Sequence, residues 1–202
     1  MNKHLTTGLR IRIIILQFVA LVGLVAGAFG AFYANSFTNA QIHDMLAPEQ
    51  IAFPQNAAQG LPSDLKAYAG QQVLTGDQAH AYAEKFIGLH LKEIGADANG
   101  VSHPYSYWSG VARTAPDAAS KAKAQGIADT LFKGETLRAI LNEAWSFSVF
   151  GQIAYFAGIG LALVAGVVLL ALLFEVIEFL RHRNTYAEAP ISTPAREPVG
   201  AR

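Results

Sequence analysis

His80 and Glu84 stand four residues apart in a stretch whose apolar residues recur at helical spacing, so an imidazole and a carboxylate lie one turn apart. The pair is either a solvated contact between turns or half of a metal site, and the sequence supplies no evident other half. His90 lies on the face formed by Ala79, Tyr82, Ala83, Phe86 and Ile94. A buried, hydrogen-bonded imidazole fits that position better than a ligand. Tyr105, Tyr107 and Trp108 cluster in the Gly- and Ser-rich segment NGVSHPYSYWSG, read as a loop over 99–110, with His103 beside them. Exposed, the cluster would be a partner-binding loop. Near a bilayer it would be an interfacial anchor, and packed on a core it would be neither.

A second charged group is Glu175, Glu178, Arg181, His182 and Arg183, with Glu178 reaching Arg181 and His182 at helical spacing. Arg10 and Arg12 can join it if the two ends of the chain run side by side. One reading is an interfacial charge collar of Arg10, Arg12, Glu175, Glu178 and Arg181 with snorkelling side chains. The other is a proton or metal site. A di-metal carboxylate bundle needs Glu-x-x-His pairs on four helices, whereas the Glu–His spacings here are seven and four. The collar is therefore preferred.

Cysteine is absent, which excludes disulfides, thiolate nucleophiles, iron–sulfur clusters and cysteine zinc sites. No G-x-S-x-G, H-E-x-x-H or Gly-rich phosphate loop is present, so no catalytic residue and no cofactor are assigned. Lys+Arg and Asp+Glu both number 15, and the zero balance excludes a uniformly basic nucleic-acid binder.

The elements around these residues can be read from composition. Hydrophobic residues make up 52% of the 202 and charged residues only 15%, against about 25% in a soluble domain. Two uncharged runs, Ile13 to Tyr33 and Ile153 to Phe174, hold most of the excess. Each has the ~20 apolar residues a helix needs to cross ~30 Å of hydrocarbon. Backbone polar groups find no partner in lipid, so both must be helical. The first run also fits a signal peptide with small residues at Ala26 and Ala28, but it exceeds the ~7–15 residues of a signal core, so an uncleaved span is preferred.

Basic flanks set the orientation. Lys3, Arg10 and Arg12 precede the first span without an acid, Arg181 and Arg183 come after the second, and residues 34–149 hold eight basic and eleven acidic residues. Both termini are therefore expected in the cytoplasm. The boundaries read 1–12 cytoplasmic, 13–33 first span, 34–149 extracytoplasmic domain, 150–180 second span and 181–202 disordered cytoplasmic tail. Phe29, Phe32, Tyr33 and Phe37, and Trp145, Phe147, Phe150, Tyr155 and Phe156, would mark the outer interface. Small residues recur every four positions, Gly23, Gly27 and Ala31 on one span and Ala154, Gly158, Ala162 and Gly166 on the other. Such stripes allow close helix packing against the other span, a second copy or a larger complex.

Between the spans, Pro48, Pro54 and Pro62 make residues 34–72 irregular, with a short extended piece at Gln50–Phe53 and a short helix capped by Ser63. A helix is expected from Thr75 or Asp77 to Gly95, and another after Pro116 with an interruption at Gly134. No proline lies between Gly134 and Arg183, which predicts one helix of about 75 Å running into the span. That helix would couple the outer domain rigidly to the membrane. The fold class is thus an all-α membrane protein, two transmembrane helices with a mainly helical extracytoplasmic domain between them.

Residues 68–91, YAGQQVLTGDQAHAYAEKFIGLHL, and 134–145, GETLRAILNEAW, together resemble small two-span membrane proteins of actinobacteria-like bacteria. That resemblance implies an external helical loop and carries no activity. Some such proteins bear ring-opening dioxygenase names, a chemistry needing two His and a carboxylate around iron, and no set so spaced occurs here. The expected function is a non-catalytic accessory or scaffold subunit of a cell-envelope complex in the bacterial inner membrane. Its partners would be the bilayer and a membrane protein or second copy. The alternative is an extracytoplasmic ligand-binding or sensing module anchored by two spans, with Tyr105–Trp108 as a pocket wall.

Overall fold

The computed structural model describes residues 3–187. They are mostly helical, and no strand occurs among the described residues. Helix α1 spans Lys3–Leu46 and α2 spans Gly76–Ala81. A π-helical segment, Tyr82–Ile87, joins α2 to α3, Gly88–Ile94. Helix α4 spans Tyr105–Thr114 and α5 spans Ala118–Ala187. Short 3-10 turns cover Ala47–Glu49, Ala57–Gln59 and Ser63–Tyr68. The chain divides into two compact units, Gly30–Ala157 and the residues up to Phe29 with those from Gly158 on.

Both α1 and α5 are long and apolar enough to cross a membrane. Each exceeds its expected bounds. Helix α1 continues to Leu46, through residues expected to be irregular from 34 onward, because no Gly or Pro intervenes between Ala31 and Ala47. Pro48 then stops it by disfavouring helical backbone before itself. Helix α5 contains the predicted Gly134–Arg183 helix and begins earlier, at Ala118. Asp117 caps it, its Oδ1 accepting from the Ser120 amide at 2.8 Å. It also runs through Ala187, beyond the expected start of the tail at 181, and the remainder of that tail lies outside the described residues.

In the unit holding the candidate spans, the covered positions of α1 are Ile14, Gln17, Leu21, Leu24 and Ala28. On α5, Gly158, Leu161, Ala165, Val168 and Leu172 are covered, with Ile159 beside the first of them. Both sets alternate steps of three and four, the spacing of a left-handed helix pair. A four-residue step advances about 40° around a helix and so leaves such a seam within a few turns. That accounts for where the small residues lie. Gly158 is buried, while Gly23, Gly27, Ala162 and Gly166 are exposed. A methyl on Gly27 would still meet Leu161 Cδ1 at 3.3 Å, and one on Gly23 or Gly166 would meet open space.

In the other unit, Ala31 and Ala154 are half-buried. Phe32 meets Tyr155 edge-on with ring centroids 5.8 Å apart, and Gly151 lies against Thr38. The core gathers Leu65, Val73 and Leu141, each fully buried, with Phe53 stacked on Tyr68 at 5.0 Å. Burying such a side chain stabilises by about 1.5–3 kcal/mol. The extended piece pairs locally, the Val73 amide donating to Ile51 O at 2.8 Å and the Phe53 amide to Gln71 O at 2.9 Å. Two glycines set the closeness of the helices. A methyl on Gly76 would run into Ser148 and one on Gly134 into Leu91, so α2 and α3 lie directly on α5. Gly134 does not interrupt α5.

Candidate functional site

The Thr75 hydroxyl oxygen accepts from the Gln78 amide at 3.3 Å, and Gln78 Oε1 accepts from the Thr75 amide at 3.1 Å, so this capping box starts α2 as the sequence suggests. The π-helical segment has no counterpart in the sequence expectation of a regular helix. It inserts one residue into the helical count and rotates the turns after it. The buried face therefore passes from Ala79 and Ala83 to Ile87 and Leu91, leaving Ile94 exposed and Phe86 and His90 half-buried. His90 is hydrogen-bonded as expected, its Nδ1 lying 2.8 Å from Phe86 O, but it is half-buried rather than buried. Glu84 sits within the π segment, four residues after His80, and both face α5.

There Glu84 meets two side chains. Asn142 Nδ2 donates to its Oε1 at 2.6 Å, and Arg138 Nη2 donates to its Oε2 at 2.7 Å. Arg138 Nη1 donates to both oxygens of Glu135 at 3.0 and 3.1 Å. A carboxylate only accepts, so the Asn142 amide must turn its nitrogen to Glu84 and its oxygen to His80. His80 Nδ1, 2.9 Å from Asn142 Oδ1, is therefore the donor, and Nε2 has no hydrogen-bond partner among the described residues. The His80 ring stacks on Trp145 at 4.1 Å. His80 and Glu84 are thus bridged by an amide. Among the described residues no three metal-ligating side chains gather.

The Asn142 hydrogen bond holds the Glu84 carboxyl below the usual carboxylate range; burial opposes it, and the bond to Arg138 and its charge add to it. Burial also works against the Arg138 charge, but the bonds to Glu84 and the Glu135 charge outweigh it and raise the guanidinium above its ordinary value. Arg138 Nε is buried without a partner among the described residues.

This network walls a cleft of about 510 Å³, floored by Gly88, Leu91 and Leu131. Lys92, Ser102, His103, Pro104, Tyr105 and Ser106 also line it. His103 Nε2 donates to Asp97 Oδ2 at 3.1 Å, and its ring stacks on Tyr107 at 3.8 Å. That bond, with the Val101 and Asn99 amides, holds Asp97 below its ordinary value.

Tyr105, Tyr107 and Trp108 lie in the first turn of α4, not in a loop, because Pro104 supplies the extended residue before a helix start. They divide by role. Trp108 is half-buried and its indole N–H donates to Gly95 O at 2.9 Å, while Tyr105 and Tyr107 remain exposed and Tyr105 lines the cleft. Of the charge collar, Arg181 Nη1 lies 3.6 Å from Glu178 Oε1, Glu175 is half-buried, Arg10 is half-buried and Arg12 exposed. Sequence reasoning does not single out Arg138, Asn142 and Lys92. The partners of Arg138 and Asn142 on α2 and the π segment are dozens of residues away, and no local spacing marks any of the three.

No protein-family model matches the chain, and no curated protein or solved structure matches it. The resemblance to small two-span proteins rests on residues 68–91 and 134–145 alone.

Proposed function

We propose that the chain is an integral membrane protein crossing the bacterial inner membrane twice. Its termini lie in the cytoplasm and residues 34–149 outside, and it acts as a non-catalytic accessory or scaffold subunit of a cell-envelope complex. The observation that carries this reading is the pair of long apolar helices flanked by Arg10 and Arg12 on one and Arg181 on the other. Exposed small residues on the pair, Gly23, Ala162 and Gly166, support a further helix packing there, from a membrane partner or a second copy. Isolation in mild detergent with mass spectrometry tests it. Wild type should retain a stoichiometric membrane partner or dimer that Ala162→Leu with Gly166→Leu loses. Retention by the double variant contradicts the assigned face.

A second reading, an external ligand-binding module on the same anchor, is favoured by the cleft beside Glu84 and Arg138. Ser106→Trp would fill that cleft. Loss of a ligand response with an unchanged melting temperature would support this reading, and an unchanged response would count against it.

A further inference from the structure

We propose that the cleft between the π segment, α3, α4 and α5 takes a small zwitterion. Its ammonium would lie at the Glu84–Glu135 wall, and its carboxylate or phosphate ester at Lys92 and Ser106. The proposal rests on the ligand-binding reading above and names the ligand's class.

Three observations carry it. Glu84 and Glu135 share one guanidinium, that of Arg138, so two carboxylates face one cation and the wall keeps one negative charge in excess. Lys92 lines the same cleft and meets no carboxylate within ion-pair distance among the described residues. The Ser102 and Ser106 hydroxyls also line it, and neither has a hydrogen-bond partner among the described residues. The cleft is therefore neutral in sum but carries unanswered charge of each sign on its walls. A simple anion would meet the carboxylate wall, a simple amine would leave Lys92 unanswered, and a neutral ligand would answer neither.

Shape and local dipoles agree with that division. The volume of about 510 Å³ falls within the ~300–1,000 Å³ of small-ligand sites. The first turn of α4 brings Pro104, Tyr105 and Ser106 to the cleft with Pro104 at its N-cap and no side-chain cap, which adds partial positive charge to the cleft that Lys92 also lines. Gly88, Leu91 and Leu131 give an apolar floor for the methylenes that separate the two charges. Tyr105 flanks the opening and packs on Phe132 with ring centroids 5.6 Å apart.

The full-length protein in detergent, titrated with defined probes and read by saturation-transfer NMR and thermal melting, tests this. O-Phosphoethanolamine and γ-aminobutyrate should both bind and raise the melting temperature, the stronger of the two showing which anion is preferred. Ethanolamine, inorganic phosphate and glucose should bind at least tenfold more weakly. Lys92→Gln and Glu135→Gln, at exposed positions and checked for helical content, should each weaken the zwitterion about tenfold, the worth of one charge-assisted hydrogen bond. Binding of phosphate, ethanolamine or glucose as tight as the zwitterions, and blocked by Ser106→Trp, would overturn the zwitterion while leaving a ligand site. No binding by any probe would overturn both.

Discussion

Asn142 and Glu84 are 58 residues apart in the chain, yet Asn142 Nδ2 donates to Glu84 Oε1 across 2.6 Å. The same amide turns its oxygen to His80, so one neutral side chain satisfies an acid and an imidazole on successive turns of the helical stretch around α2. Asn142→Leu removes both bonds and leaves His80 Nδ1 and Glu84 Oε1 unanswered, while Glu84 Oε2 keeps its bond to Arg138. The expected loss is about 1–3 kcal/mol in denaturant unfolding. A loss within the ~0.5 kcal/mol of ordinary surface changes would mean that water replaces the amide.

The Glu84 carboxyl lies below its ordinary value in the folded protein, so the unfolded chain binds its proton more readily. Its contribution to stability is present above about pH 4.5 and is lost as pH falls through the lower folded value. Asp97 and Asp117 act in the same direction. Unfolding measured from neutrality downward should therefore show falling stability below about pH 4.5. Glu84→Gln should make that fall shallower, and an unchanged slope would assign it to the two aspartates.

Much of the long-range order was legible in the sequence because lipid-length runs tolerate no charge, and Ile13 to Tyr33 and Ile153 to Phe174 carry none. The helix ends at Thr75 and Gly95 were legible from capping and glycine signals, whereas the end of α1 at Leu46 was not, residues from 34 onward being expected to be irregular. The cleft was not. Arg138 meets Glu84 across 54 residues of chain, and no local periodicity announces that pairing or the one-residue insertion of the π segment. Tyr105 and Tyr107 looked like loop residues among Gly and Ser. Their helix depends on Pro104 and on Trp108 reaching Gly95 O.

Gly76 and Gly134 both lie against a neighbouring helix, with different neighbours. A methyl on Gly76 meets Ser148 at its Cβ, which cannot move without its helix, and Trp145 Cα at 3.3 Å. One on Gly134 meets the far end of Leu91, which can change rotamer. Gly76→Ala should thus cost about 1–3 kcal/mol by overpacking. Gly134→Ala should cost less, since an added helix propensity of about 1 kcal/mol offsets it. Equal melting temperatures for the two variants would contradict this assignment of closeness.

Gly158 and Gly166 separate packing within the helix pair from packing outside it. Gly158 is buried on the seam, whereas a side chain on Gly166 meets open space. Gly158→Leu should lower the melting temperature in detergent. Gly166→Leu should leave it unchanged. A fall of similar size in both would mean that the seam is not the three-four series through Ala165 and Leu172.

The proposed topology crosses the membrane twice with residues 34–149 outside, and the sequence has no native thiol to interfere with cysteine labelling. Single cysteines at Asn99 and Ser192 would be exposed to a membrane-impermeant maleimide in intact cells, then again after permeabilisation. The account predicts labelling of Asn99→Cys in intact cells and of Ser192→Cys only after permeabilisation. Labelling of Ser192→Cys but not Asn99→Cys in intact cells would contradict it.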